Sequence, residues 1–223
     1  MTLAPDRRHW TYLGLLLAMF GTPLFLWLFR LDAGDAAGLV PYLAREGMIF
    51  AMAAVLLILI RRGERQPWQS IGWRPERPGT VVLWGLIGLV VCAIGLALCI
   101  VVAQAMQWKI GHQTAPVYTP PLWAMAITVL RAGVTEELFY RGYALERLIA
   151  LTGSRWGAVI LALIPFALFH FRQGPAGILI AGVAALILSA LYLKRRSLPE
   201  VMLTHFLVDF IPNIVLPLLG VVE

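Results

Sequence analysis

The sequence has few charged residues for its length. Asp, Glu, Lys and Arg make up 13% of its 223 residues, whereas apolar residues make up 60%. A soluble domain usually has about 25% charged residues. Because the apolar residues also form long uninterrupted runs, the sequence excludes a soluble globular domain and predicts a polytopic membrane protein.

Cysteine is almost absent as well. Cys92 and Cys99 are seven residues apart in one apolar run, which is about 10 Å along a helix and too far for a disulfide. A disulfide-stabilised framework is therefore excluded, and both cysteines are interpreted as small packing residues. The sequence has no internal repeat and no separate soluble domain.

The apolar runs predict an all-α transmembrane bundle of seven spans. The predicted spans are Thr11–Phe29, Pro41–Ile60, Val81–Met106, Pro121–Leu145, Trp156–Phe171, Ala176–Leu193 and Leu198–Leu219. Spans 4 and 5 are expected to form a long hairpin that carries part of the functional site. Within this single membrane domain, residues 1–120 hold spans 1 to 3 and a basic loop, and residues 121–223 form the expected catalytic core.

The net charge of +6 does not indicate nucleic-acid binding, because the basic residues sort by loop. Twelve Lys and Arg residues lie in loops on one side of the predicted membrane and three in loops on the other. The positive-inside rule then places the N-terminus in the cytoplasm and the C-terminus outside. The composition, rich in Pro, Ala and Leu and with Arg preferred to Lys, fits a protein of a bacterial cytoplasmic membrane.

Three ionisable residues, Glu136, Glu137 and Arg141, lie inside the fourth predicted span. Such side chains are costly in hydrocarbon, so they indicate a functional site. Glu137 and Arg141 are four residues apart with the acid first, the favourable order for an ion pair on one helix face. Glu136 lies about 100° around the helix from Glu137. We therefore expect Glu137 to be structural and Glu136 to be free for chemistry.

Further polar residues lie in two other spans. His170 ends the fifth span, and His205 and Asp209 are four residues apart on one face of the seventh. Glu136 and His170 are each 17 residues from Gly153, so a hairpin that turns there brings both to the same depth. Convergence on one polar cavity would keep all of these side chains away from lipid.

Three other charged residues lie within or near the predicted spans. Arg45 and Glu46, near the outer end of the second span, are interpreted as interfacial rather than catalytic. Arg131, in the fourth span, is expected to snorkel or to pair with another helix. None of the three is assigned to the site.

In order and spacing, these motifs resemble the CAAX protease and bacteriocin-processing family of intramembrane endopeptidases, the type II CAAX prenyl endopeptidases. The family's three motifs are Glu-Glu-x-x-x-Arg, Phe-x-x-x-His and His-x-x-x-Asn or Asp. They are matched in turn by Glu136, Glu137 and Arg141, by Phe166 and His170, and by His205 and Asp209. The resemblance covers the C-terminal half of the chain, and Asp209 follows the prokaryotic variant of the third motif.

The resemblance implies hydrolysis of peptide bonds, which needs an activated water, an oxyanion stabiliser and a proton for the leaving amine. We expect Glu136 to act as the general base and His170 to hold the same water. His205 and Asp209 would lie across the cleft. Because an ionised aspartate repels an oxyanion, Asp209 is protonated, orients His205 or binds a metal.

The last alternative allows a zinc site made of Glu136, His170, His205 and Asp209. The sequence has no His-Glu-x-x-His motif, and a glutamate-activated water is the favoured mechanism. Zinc is therefore the one cofactor that stays open.

Two other classes of function compete with a protease. The resemblance also implies non-proteolytic membrane binding, immunity or scaffold proteins of the same fold. A small transporter would contain buried acids and histidines too, but the sequence shows no inverted repeat and no matched pair of broken helices. The expected partners are the lipid bilayer and a membrane-associated protein or peptide, such as a leader peptide or a C-terminal sorting tail.

Overall fold

The computed structural model describes residues 5–29, 38–111 and 118–220. The secondary structure of these residues is helical, without strands. Seven long helices follow one another: α1 (Arg8–Phe29), α2 (Leu39–Gly63), α3 (Pro78–Ala105), α4 (122–152), α5 (Arg155–Leu168), α6 (Gly174–Arg195) and α7 (Leu198–Leu218). Short 3₁₀ turns, Pro5–Arg7, Trp68–Ile71 and Phe171–Gln173, precede α1, α3 and α6.

Five of these helices are long and apolar enough to cross a membrane: α1, α2, α3, α7 and the stretch Phe171–Arg195 that contains α6. The all-α membrane fold is therefore confirmed, and the chain is an integral membrane protein. The two other predicted spans, Pro121–Leu145 and Trp156–Phe171, correspond to α4 and α5. They are not among the five, because α4 carries six charged residues and α5 has 14 residues. Fourteen residues of helix measure about 21 Å, less than the ~30 Å hydrocarbon core.

Helix α4 lies at the centre of the bundle, in contact with α1, α2, α5, α6 and α7. All eight residues of its segment Leu138–Leu145 are buried. Enclosure by five helices keeps its charged side chains away from lipid, which is where ionisable groups in membrane proteins are found. The helix ends at Thr152, and the chain turns at Gly153, whose φ of +71° suits glycine.

Close helix packing brings α7 against α3. The Thr204 hydroxyl of α7 donates a hydrogen bond to the Gly85 carbonyl oxygen of α3 at 3.2 Å. A Cβ atom on Gly88 would lie 2.3 Å from the Thr204 hydroxyl oxygen, so the two helices approach where glycine leaves room. Small residues commonly permit such contacts in membranes, where packing and interhelical hydrogen bonds drive helix association.

Candidate functional site

The site begins with an irregularity in α4. Residues Ala132–Glu136 form a π-helix, whose hydrogen bonds run between residues five apart. In a regular α-helix, Arg131 and Glu136 would point about 140° apart. In the wider turn, Arg131 Nη1 donates a hydrogen bond to Glu136 Oε1 at 3.1 Å. Glu136 is therefore paired with an arginine, whereas the sequence predicted that it would be free, and its side chain is 26% exposed.

Glu137 lies in a different environment from its neighbour, because its side chain is completely buried. Its Oε1 atom accepts a hydrogen bond from Arg141 Nη1 at 2.6 Å, so the expected ion pair forms. The same oxygen lies 2.7 Å from Nδ1 of His205 on α7. Its Oε2 atom is buried and has no hydrogen-bond partner within the described parts of the chain. The two adjacent carboxylates thus differ in exposure: Glu137 is buried, and Glu136 is partly exposed.

Phe166 of α5 connects the second motif to the first. Its ring packs edge-on against Tyr140 at 4.8 Å, and the Arg141 guanidinium lies 5.1 Å from the ring centre. The His170 ring lies 5.1 Å from it, and His170 Nδ1 donates to the Phe166 carbonyl oxygen at 2.8 Å. Within the described residues, His170 and Glu136 share no hydrogen bond. Their predicted equal depth stays a prediction.

His205 joins two carboxylates on different helices. Its Nδ1 atom faces Glu137, and its Nε2 atom lies 3.4 Å from Oδ2 of Asp209, one turn further along α7. The Asp209 side chain is 36% exposed. His205 is thus held at the α4–α7 interface with a buried acid on one side and an accessible acid on the other.

Gly133 sets the distance between α4 and α7 at this point. A Cβ atom there would lie 2.9 Å from the Phe206 backbone nitrogen and 3.0 Å from its Cα atom, and backbone atoms cannot move aside as a flexible side chain would. The glycine therefore lets Glu137 reach His205.

Replacement of Gly133 by alanine is expected to push α7 away, lower the melting temperature and abolish any activity that depends on His205. Overpacking of this kind costs about 1–3 kcal/mol. Gly182→Ala is the matched control, because its Cβ atom would lie 3.5 Å from the Ala167 Cβ, an ordinary contact. Equal melting temperatures for the two variants in detergent would show that the α4–α7 approach is not tight.

The structure adds three residues that the sequence did not assign to the site. Arg131 pairs with another helix, one of the two expectations for it: its Nε atom donates to Glu46 Oε2 on α2 at 2.7 Å. Glu46 also accepts from Arg45 Nε at 2.8 Å. Arg45 and Glu46, which were interpreted as interfacial rather than catalytic, are buried inside the protein, at 5% and 1% exposed. The rule that marked Glu136, that charged residues inside spans indicate function, applied to them equally.

The four residues predicted as possible zinc ligands are distributed over α4, the α5–α6 turn and α7. Across residues 5–29, 38–111 and 118–220, no three His, Cys, Asp or Glu side chains are grouped to hold a metal ion. The arrangement of these four side chains therefore does not fit a zinc site.

Comparison with known protein families gives a match in the C-terminal half of the chain. Residues 118–211 match the family model described as type II CAAX prenyl endopeptidase Rce1-like, a family of proteases. All residues of the three motifs lie within the match, and the resemblance seen in the sequence is confirmed. Comparisons with curated proteins and with solved structures find no match.

Proposed function

We propose that this chain, whose residues 118–211 match the Rce1-like type II CAAX prenyl endopeptidase family model, is an intramembrane endopeptidase that cleaves membrane-associated proteins or peptides. The observation that carries the proposal is the contrast between the adjacent acids. Glu137 is buried and bonded to Arg141 and His205, whereas Glu136 is paired with Arg131 and accessible. A completely buried carboxylate can only organise the site, whereas an accessible carboxylate can reach water and substrate.

Glu136 is the general base in this proposal. Paired with the Arg131 guanidinium, it is a carboxylate and can accept a proton from water. The resulting hydroxide forms a bond to the carbonyl carbon of the substrate, and the carbonyl oxygen becomes an oxyanion. Glu136 then returns the proton to the nitrogen of the leaving amine as the C–N bond breaks.

His170 has a suitable tautomer to hold the attacking water. Because a carbonyl oxygen can only accept, the contact with Phe166 requires a proton on His170 Nδ1. In the neutral ring, Nε2 is then an acceptor that can bind a water hydrogen. This supports the role of His170 in orienting the water toward the peptide bond.

His205 would supply the charge opposite the oxyanion. Both of its nitrogens face carboxylates, Glu137 and Asp209, and only an imidazolium donates from both. Its positive charge offsets the negative charge of Asp209, which would otherwise repel an oxyanion. Of the alternatives for Asp209, orientation of His205 is the one that the 3.4 Å separation favours.

We place the protein in the bacterial cytoplasmic membrane with its N-terminus in the cytoplasm. The distribution of basic residues supports this orientation. A membrane location for the site agrees with substrates that are themselves in or at the bilayer. The experiment below identifies the substrate, and the substrate then shows whether a prenyl group is required.

The proposal is tested by comparing protein termini, by mass spectrometry of whole cells, between cells that carry the wild-type chain and cells that carry Glu136→Ala. The two chains must be present at matched membrane levels. We expect new N- or C-termini in the wild type that disappear in Glu136→Ala, because general-base catalysis alone contributes about 10²–10⁴-fold. Glu76→Ala is the control, since Glu76 accepts a hydrogen bond from Ser197 away from the site.

Identical termini in wild type and Glu136→Ala would overturn the protease proposal. A phenotype retained by the variant would then indicate a non-proteolytic binding or immunity protein of the same fold. Termini that also disappear in Glu76→Ala would show that the loss is not specific to the site.

A further inference from the structure

Helix α2 presents three polar side chains to α4. Tyr42, Arg45 and Glu46 are spaced to share one helix face. The Tyr42 hydroxyl lies 2.5 Å from the Thr128 hydroxyl, and Glu46 accepts from Arg131 one turn further along α4. Arg45 lies over the Tyr42 ring, 4.7 Å from its centre. The contact between α2 and α4 is thus polar over at least one turn of each helix.

The Arg131 guanidinium donates hydrogen bonds to two carboxylates. Its Nε atom is bonded to the buried Glu46, and its Nη1 atom to the accessible Glu136. Arg131 itself is 8% exposed. Glu46 in turn accepts a hydrogen bond from Arg45. A chain of buried contacts therefore leads from α2 through Arg131 to the proposed general base.

A second buried pair on α4 shows how a solely structural arginine is arranged here. Arg147 is completely buried and gives its nitrogens to Glu64 and Ser70, which lie at the end of α2 and in the connector after it. The carboxylate of Glu64 is buried too. Arg131 differs because one of its partners is open to substrate and water.

We infer that Arg131 is a positioning residue for Glu136, and that Glu46 and Arg45 of α2 hold Arg131 in place. This inference rests on the proposed function. Helix α2 lies outside the residues that match the family model, 118–211. The catalytic site is therefore completed by an anchor from the N-terminal part of the chain.

A kinetic test uses the full chain in lipid nanodiscs and the peptide whose cleavage depends on Glu136 in the termini comparison. Arg131→Gln is expected to lower kcat about 100-fold, the effect of misplacing a catalytic group by about 1 Å. KM should stay unchanged, because the lost contact orients the base and does not bind substrate. Arg131→Lys keeps the charge without the forked geometry and should give an intermediate kcat.

The anchor is tested with Glu46→Gln, alone and combined with Arg131→Gln. Alone, it should lower kcat by less than Arg131→Gln does. Combined, it should cause no further loss, because Glu46 acts through Arg131. Glu64→Gln is the matched control: it makes the same isosteric change beside a buried arginine of α4 and should lower the melting temperature with an unchanged kcat.

Two kinetic outcomes would overturn the inference. An unchanged kcat in folded Arg131→Gln would make the arginine a structural brace like Arg147. A raised KM with unchanged kcat would make it a substrate ligand.

A double-mutant cycle on thermal stability needs no substrate. It therefore distinguishes failure of this inference from failure of the proposed function. The melting temperatures of Arg131→Gln, Glu136→Gln and the double variant are compared in the same nanodiscs. If the shift in melting temperature of the double variant differs from the sum of the two single shifts, the contact between Arg131 and Glu136 is confirmed, whether or not any terminus changes in cells. Additive shifts overturn it.

Discussion

Replacement of Glu137 by alanine is expected to destabilise the protein by about 3–5 kcal/mol, the usual cost of leaving a buried charge without its partner. Arg141 is 2% exposed and its Nη1 atom would lose its acceptor. The Arg141 Nη2 atom would keep its bond to the Ala185 carbonyl oxygen, but that dipole does not neutralise the charge. The measurement is the free energy of unfolding in a denaturing detergent titration.

Glu136→Ala is the matched control for this experiment, because it removes the neighbouring acid. Its effect on stability should be much smaller, since Glu136 is accessible and Arg131 keeps Glu46 as a partner. The two variants should thus separate the two roles: Glu136→Ala is folded and inactive, and Glu137→Ala is unstable. A Glu137→Ala variant as stable as the wild type would contradict the buried ion pair.

A double replacement at Glu137 and Arg141 separates the contribution of Glu137 to stability from its role in orienting His205. Replacing Glu137 and Arg141 together by Leu and Met should recover part of the lost stability, because a buried ion pair is often replaced by apolar residues at little cost. Activity should not recover, since His205 would still lack the carboxylate at its Nδ1 atom. Recovery of activity would show that Glu137 is structural only.

The contacts that the sequence predicted are local. Glu137 and Arg141 are four residues apart, and this spacing places their side chains on one face in nearly any helix. The same reasoning placed His205 beside Asp209, and these two residues lie within 3.4 Å. Helical spacing alone, together with the cost of charge in hydrocarbon, was sufficient for both pairs.

The pairing of Glu136 could not be predicted in this way. It depends on the π-helix Ala132–Glu136, and no residue pattern in that segment distinguishes it from an α-helix. The partnership of Arg131 with Glu46 joins residues 85 apart and depends on how α2 packs on α4. Helix periodicity indicates which side a residue faces, but not the neighbouring helix that it meets.

Span assignment also depended on tertiary structure. Pro121–Leu145 contains long apolar stretches and was predicted as a membrane span, but its segment Leu138–Leu145 is buried among other helices. A helix that is shielded by protein can carry the six charged residues of α4, which a lipid-facing helix would not tolerate. Hydropathy alone cannot distinguish these two environments.

Replacement of Glu64 by alanine is the second change with a large expected effect. Its carboxylate accepts from Arg147 Nε at 3.0 Å and Nη2 at 2.6 Å, and from the hydroxyl groups of Thr11 and Tyr143, each at 2.8 Å. These partners lie on α1 and α4, so one buried carboxylate ties both helices to the end of α2. We expect a loss of about 3–5 kcal/mol in the free energy of unfolding, because the buried Arg147 would lose the carboxylate that accepts hydrogen bonds from its Nε and Nη2 atoms.

A graded series tests whether the carboxylate is the centre of this network. Thr11→Val and Tyr143→Phe each remove one neutral donor and leave the charge pair intact, so each should cost about 1 kcal/mol. In the Glu64→Ala background the same two substitutions should cost almost nothing, because their acceptor is already gone. Full costs in that background would show that the hydroxyl groups stabilise the fold through other partners. Small costs would show that α1 and α4 are joined through Glu64, whose partners Thr11, Tyr143 and Arg147 are not residues of the proposed site.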